Sequence, residues 1–150
     1  MFESLLISLG DFQLLHAQDT GRLLPTDRFR APDFRVMLQD GSHWLIEVKN
    51  VYEPDPFNQE RRLFNREYYE ALTAYAAATG AELKVAVFWA RWAMWTLVSP
   101  ERLLTANGDV HLDLMTAMRV NELSRLGDRM IGTRPPLVLR FNTAPSIQVL

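Results

Sequence analysis

Residues 31–50, with the sequence APDFRVMLQDGSHWLIEVKN, predict a β-hairpin around which the rest of the chain is organised. Apolar residues alternate with polar ones on both arms, which is typical of strands with one buried face. The alternating apolar residues are Phe34, Val36 and Leu38 on the first arm and Trp44, Ile46 and Val48 on the second. The Asp-Gly-Ser sequence between the arms is typical of a turn.

The length of the turn decides which residues face each other. A two-residue loop would pair apolar with polar residues, whereas a three-residue loop over 40–42 makes one face wholly apolar. The three-residue loop predicts these apolar pairs: Phe34 with Val48, Val36 with Ile46, and Leu38 with Trp44. It predicts these pairs on the other face: Asp33 with Lys49, Arg35 with Glu47, and Met37 with Leu45. Charged side chains therefore collect at the end of the hairpin away from the turn.

Pro32-Asp33, followed after thirteen residues by Glu47-Val48-Lys49, resembles the signature of the PD-(D/E)xK nuclease superfamily. That superfamily includes restriction endonucleases, archaeal-type Holliday-junction resolvases and repair nucleases. The resemblance covers about residues 1–98. It implies an α/β, restriction-endonuclease-like fold, in which helices flank a mixed β-sheet in a single domain.

The resemblance also implies a set of site residues. They are Asp33, Glu47, Lys49 and Gln59 as catalytic residues and Glu3, Asp33, Glu47 and Val48 as metal ligands. Two carboxylates on one face suit Mg²⁺ (or Mn²⁺), which acidifies a bound water while a lysine stabilises the phosphate. Lys49 is one of only two lysines beside fourteen arginines, so a lysine at this position is informative. The alternative is a cross-strand ion pair without catalytic function.

Composition places bounds on these hypotheses. The chain of 150 residues suits one domain, predicted over 1–150 with a core at about 1–98 and an extension over 99–150. The net charge of −2 does not suit a protein that binds nucleic acid over a wide surface, so binding must use a local patch, a metal or a partner. Cysteine is absent, no apolar run approaches the roughly 18 residues of a membrane span, and the first residues lack a basic segment. These features favour a cytoplasmic location and no membrane.

Periodicity predicts further elements in chain order. They are a helix over 2–9, a strand over 11–17, a long helix over 57–79, strands over 83–90 and 94–98, a helical turn over 99–104, a helix over 112–126 and a strand over 137–141. On the long helix, Gln59, Arg62 and Arg66 would form one polar stripe, of which Gln59 and Arg62 are candidates for the site. Several arginines beside the hairpin either contact backbone phosphate or belong to a solvated loop: Arg22, Arg28, Arg30 and Arg35.

The leading hypothesis is a metal-dependent endonuclease that hydrolyses phosphodiester bonds of double-stranded or branched DNA. With little room for a separate specificity domain, the chain would recognise a DNA structure, form a homodimer or depend on a partner protein. The alternative is a non-catalytic protein of the same fold that binds DNA or protein, motivated by the net acidity and by Arg35 opposite Glu47. A third hypothesis, an oligomeric interaction protein, is motivated by the tryptophan-rich segment 88–95.

Overall fold

The computed structural model of the protein describes residues 1–18, 28–52, 55 and 60–128. Its helices and strands, in chain order, are α1 (Phe2–Leu9), β1 (Phe12–Ala17), β2 (Phe34–Leu38), β3 (His43–Val51), β4 (Arg61–Phe64), α2 (Arg66–Ala78), β5 (Glu82–Trp89), β6 (Met94–Val98), β7 (Val110–Leu112) and α3 (Leu114–Arg119). Short 3-10 turns occupy Ala90–Trp92, Pro100–Leu103 and Leu123–Leu126.

The main sheet has five strands in the order β1-β2-β3-β5-β6. Strand β3 is parallel to β5, and the other neighbouring strands are antiparallel. A crossover through α2 joins the two parallel strands, as parallel pairing requires. The predicted α/β fold with a mixed sheet is thus confirmed.

Helix α1 covers one face of the sheet. Its buried residues, Phe2 and Leu6, lie four positions apart and therefore on one side of the helix. They pack against Val36, Trp44 and Ile46, so the apolar face of the hairpin forms this half of the core. The helix ends where Gly10 adopts a left-handed conformation, with φ of 75°.

Helix α2 covers the opposite face. It begins where the side chain of Asn65 accepts a hydrogen bond from the Tyr68 main-chain N–H at 2.9 Å, which satisfies a donor of the first turn. Its buried residues, Leu72 and Ala76, pack against Leu45 and strand β5. Residue 45 thus contacts α2 while residues 44 and 46 contact α1, as alternation along a strand requires.

The register of the hairpin differs from the predicted one. Strand pairing joins Phe34 with Ile46, Arg35 with Leu45, Val36 with Trp44, and Met37 with His43. The loop has the predicted three residues but spans 39–41, because the Asp40 carboxylate accepts from the Ser42 N–H at 2.8 Å and Gly41 takes a φ of 83°. The predicted pairs were therefore wrong by two residues. A shift of two keeps every side chain on its face, so the predicted apolar face is confirmed.

The predicted long helix over 57–79 was wrong in its first part. Residues Arg61–Phe64 form β4, which pairs antiparallel with β7 in a second, two-stranded sheet. Arg62 and Arg66 consequently do not lie on one helical stripe. The β4 hydrogen bonds go to a segment distant in sequence, which local periodicity cannot detect.

The predicted helix over 112–126 was also wrong, since β7, α3 and a 3-10 turn replace it. Helix α3 begins only after Asp113, whose side-chain carboxylate accepts a hydrogen bond from the Thr116 N–H at 2.8 Å. After α3 the Asn121 side chain instead accepts from the Leu97 N–H of β6 at 2.8 Å. The predicted strand over 137–141 lies outside the described residues.

A buried ionic cluster ties residues beyond 98 to the centre of the sheet. Lys84 on β5 is 4% exposed, and its ammonium donates to Ser99 Oγ at 2.7 Å and to Glu122 Oε2 at 2.8 Å. Ser99 also donates to Glu122 Oε1 at 2.7 Å, so each of these three residues bonds to both of the others. Residues 99 and 122 of the predicted extension therefore contact the main sheet directly. None of the described helices is long and apolar enough to span a membrane.

Candidate active site

The open end of the β2–β3 hairpin brings together Asp33, Glu47 and Lys49. Asp33 immediately precedes β2 and is exposed, and its Oδ2 accepts from the Val48 N–H at 2.7 Å. The carboxylate thus bonds a main-chain donor of β3 just beyond the last paired residues, Phe34 and Ile46. Because Phe34 lies opposite Ile46, the preceding residue Asp33 lies opposite Glu47. Opposed residues of antiparallel strands share a face of the sheet, so the two acidic side chains lie on the same face.

Glu47 is a buried carboxylate, with 4% of its surface exposed. Its Oε1 accepts from Lys49 Nζ at 2.7 Å and, in a short hydrogen bond, from the hydroxyl of Tyr68 on α2. A buried charge needs partners of this kind, because burying it without them would be strongly destabilising. Glu47 Oε2 has no hydrogen-bond partner within the described part of the chain, so one oxygen remains available to a ligand.

The two partners of Glu47 have shifted pKa values. Burial alone would lower the pKa of Lys49, but the hydrogen bond and negative charge of Glu47 outweigh burial, and the net pKa is raised. Burial, and then the hydrogen bond to Glu47, raise the pKa of Tyr68. At neutral pH Lys49 is therefore a cation and Tyr68 a neutral phenol, and both donate hydrogen bonds to the carboxylate.

Tyr68 is the site residue that sequence analysis missed. It lies within the predicted long helix, but nothing in the sequence indicated that its hydroxyl reaches Glu47. Its ring also packs parallel to that of Phe64, with centroids 5.2 Å apart, and lies under the guanidinium of Arg30, whose Cζ is 4.0 Å from the ring centroid. One aromatic side chain thus contacts both the carboxylate and a neighbouring cation.

Glu3 and the hairpin residues line one open groove of about 530 Å³. Glu3 lies in the first turn of α1 and is exposed, and it shares the groove with Asp33 and Lys49. The remaining lining residues are Met1, Phe2, Phe34, Val48, Asn50, Phe88 and Trp95. Glu47 does not line the groove, but its hydrogen-bond partner Lys49 does.

Arg62 and Arg66, which were predicted on the same helical stripe as Gln59, are not brought into this site. Gln59 lies outside the described residues. Arg62 lies on β4 and its guanidinium pairs with the Asp109 carboxylate at 3.5 Å. Arg66 pairs with Glu70 at 2.7 Å, one turn along α2.

The available donors around the hairpin end are oxygens, which suit a hard cation such as Mg²⁺. They are the second carboxylate oxygens of Asp33 and Glu47 and the main-chain carbonyl of Val48, the ligand atom that a valine can offer. Among the described residues no three His, Cys, Asp or Glu side chains lie together in a group that could hold a metal ion. The donor set fits a metal held by two carboxylates with water molecules, not a site with three protein carboxylates.

Comparison with known proteins identifies the fold. No protein-family model matches the chain, and no curated protein matches it. A similar solved structure is that of Hjc from Archaeoglobus fulgidus, a Holliday junction resolvase from an archaeal hyperthermophile. The TM-score is 0.63 at 22% identity, and the match covers 83% of this chain and 95% of the resolvase. The chain has the restriction-endonuclease-like fold. This likeness confirms the fold class predicted from the Pro-Asp and Glu-Val-Lys segments.

Proposed function

We propose that the protein is a metal-dependent endonuclease that hydrolyses DNA phosphodiester bonds. The observation that carries the proposal is the meeting of Asp33, Glu47 and Lys49 at one end of the central hairpin, in a chain with the fold of a Holliday junction resolvase. Two acids and an ammonium beside an open groove are the groups that metal-assisted phosphodiester hydrolysis requires.

In this proposal Asp33 and Glu47 would hold Mg²⁺ or Mn²⁺ together with the Val48 carbonyl. Glu3 lines the same groove, but it would not be a third carboxylate ligand. When bound, the metal supplies an acidified water and neutralises charge on the phosphate. Lys49, which is protonated at neutral pH, would donate hydrogen bonds to the phosphate oxygens. Tyr68 keeps the Glu47 carboxylate in one orientation, so that the oxygen facing away from Lys49 stays available.

Branched DNA is the proposed substrate form, with double-stranded DNA as the simpler case. A net charge of −2 gives the protein little general attraction to DNA, so recognition of a branch would rest on shape and on a few local contacts. A homodimer or a partner protein would add contact surface that this chain of 150 residues lacks.

The competing function is a non-catalytic protein that binds DNA or protein. One observation favours it: Lys49 already neutralises Glu47, and no group of three potential ligand side chains surrounds the pair in the described ranges. The predicted pairing of Arg35 with Glu47 does not support this function, because Arg35 lies opposite Leu45. The tryptophan-rich segment likewise gives little support to an oligomeric interaction protein, since Trp89 is buried and bonds Thr96 at 2.9 Å.

The deciding experiment compares cleavage of branched, linear and single-stranded DNA, with Mg²⁺ or Mn²⁺, by wild type, Lys49→Ala, Lys49→Arg and Asp33→Ala. We expect both Lys49 variants to lose at least about 100-fold in cleavage rate, since removing one stabilising donor has effects of that order. Lys49→Ala should still bind the metal in calorimetry, whereas Asp33→Ala should lose metal binding as well as cleavage. Circular dichroism must first establish that each variant is folded.

Two outcomes would overturn the enzymatic proposal in favour of the binding protein. One is a wild type that cuts none of these substrates with either metal. The other is a Lys49→Ala variant that cuts as fast as wild type.

A further inference from the structure

We propose that Arg30 binds a DNA backbone phosphate beside the Glu47–Lys49 pair, an inference that rests on the proposed function of this site. Arg30 lies three residues before Asp33, at the end of the segment that leads into β2. Its side chain is exposed at the surface next to the site. The structure fixes its position in two ways.

The guanidinium and the main chain of Arg30 both lie against α2. The guanidinium Cζ is 4.0 Å from the centroid of the Tyr68 ring, a distance that places it directly on the ring. The Arg30 N–H donates to the Ala71 carbonyl at 3.2 Å, one helical turn further along. Stacking on a ring leaves the N–H groups in the guanidinium plane free to bond a ligand at its edge.

The ring under Arg30 is also the ring that orients the catalytic carboxylate. The Tyr68 hydroxyl donates to Glu47 Oε1 and accepts from Lys49 Nζ at 3.2 Å. Arg30 and Lys49 thus present two positive charges on one aromatic side chain, since Lys49 Nζ is 4.9 Å from the same centroid. Lys49 is neutralised by Glu47, whereas Arg30 has no carboxylate partner within the described residues.

The chemistry of a guanidinium stacked on a ring, with no carboxylate partner in the described ranges, selects the ligand. Its fork of donors matches two oxygens of a phosphate, and such bidentate contacts are among the strongest that proteins make. Phosphate contacts position a nucleic acid rather than read its sequence. Arg30 would therefore place the strand so that the bond to be cut lies over Lys49.

The chain offers a matched control in Arg125. Its Cζ lies 4.7 Å from the Trp44 ring centroid and its Nη2 is 3.4 Å from Asp40 Oδ2, at the turn end of the same hairpin. Arg125→Ala removes the same charge and the same kind of ring contact as Arg30→Ala, but at the end of the hairpin opposite the proposed site.

The test measures binding of fluorescent branched and linear DNA by anisotropy, without divalent metal and over a range of salt concentrations. We expect Arg30→Ala to weaken binding roughly tenfold and to lower the slope of log affinity against log salt by about one. Arg30→Lys should restore the slope but only part of the affinity, because a lysine keeps the charge without the fork. Arg125→Ala should bind as wild type does.

The outcomes separate this inference from the proposed function. If Arg30→Ala binds with the affinity and salt slope of a wild type that binds and cuts DNA, the Arg30 inference is overturned and the nuclease stands. If wild type binds but never cuts and Arg30→Ala binds weakly, Arg30 is supported and the nuclease is overturned. A wild type that binds neither DNA overturns both.

Discussion

Replacing Tyr68 by phenylalanine isolates the contribution of one hydroxyl to the site. The change removes the hydrogen bond to Glu47 Oε1 and the longer one from Lys49, at 3.2 Å. It keeps the ring, and with it the contacts to Phe64 and Arg30. Because Glu47 is 4% exposed, water cannot readily take the place of the lost donor.

The expected magnitude follows from the charge and burial of the acceptor. A hydrogen bond to a charged group contributes about 1.5–3 kcal/mol, more than a neutral one. Lys49 stays 2.7 Å from the same oxygen and limits the loss, so we expect a decrease of about 2 kcal/mol in the free energy of unfolding. For a chain of this size that corresponds to a fall of roughly 4–8 °C in melting temperature.

The assay is urea unfolding at pH 7 for wild type, Tyr68→Phe and Tyr69→Phe. Tyr69 is the next residue, is half-buried, and its hydroxyl has no partner in the part of the chain that the structure describes. Tyr69→Phe should leave stability within about 0.5 kcal/mol of wild type. Equal stability of Tyr68→Phe and wild type, or an equal loss in both variants, would refute the role assigned to the Tyr68 hydroxyl.

Two further predictions concern the frame that supports the site. Burial alone raises the pKa of Glu122, but hydrogen bonding led by Lys84 lowers it below its ordinary value of 4.5. The stabilisation from ionised Glu122 is therefore present above that value and is lost as the pH falls below it. In urea unfolding, the stability difference between wild type and Glu122→Gln should shrink as the pH is lowered from 7 to 3. Gly127 has a φ of 124° and an added Cβ would lie 2.8 Å from the Leu9 carbonyl oxygen, so Gly127→Ala should lose about 2 kcal/mol in thermal unfolding. Gly80→Ala, with a φ of 64° and open space around it, should lose only about 1 kcal/mol, and equal losses would contradict the close approach to α1.

Local sequence predicted the elements whose formation depends on neighbouring residues. Helix α1 and strand β6 have the predicted bounds, and β1 differs by one residue. The hairpin faces were predictable from alternation alone, whereas its register depends on the Asp40 side chain, which moves the turn back by one residue. Strand β4 was not predictable because Arg61 pairs with Leu112, and its periodicity also fits a helix.

The site was predictable to the extent that it lies on one hairpin. Alternation places Glu47 and Lys49 on one face, and the Pro-Asp segment enters at the same end. The contact between Tyr68 and Glu47 depends on how α2 lies across the sheet, which no local pattern specifies. The role of Gln59 stays a prediction because that residue lies outside the described residues. The metal ligands Glu3, Asp33, Glu47 and Val48 are described, but their role also stays a prediction.

The buried Lys84 has a consequence for the order in which the protein can fold during synthesis. The ammonium lies on a central strand, yet its least exposed carboxylate partner is Glu122, much later in the chain, while its other partner, Glu82, is 60% exposed. A nascent chain that ends before residue 122 would have to bury this charge with a poor partner, at a cost of several kcal/mol. We therefore expect the sheet to reach its stable form only after residue 122 has left the ribosome, so residues 1–98 alone should not be a separate cotranslational folding unit.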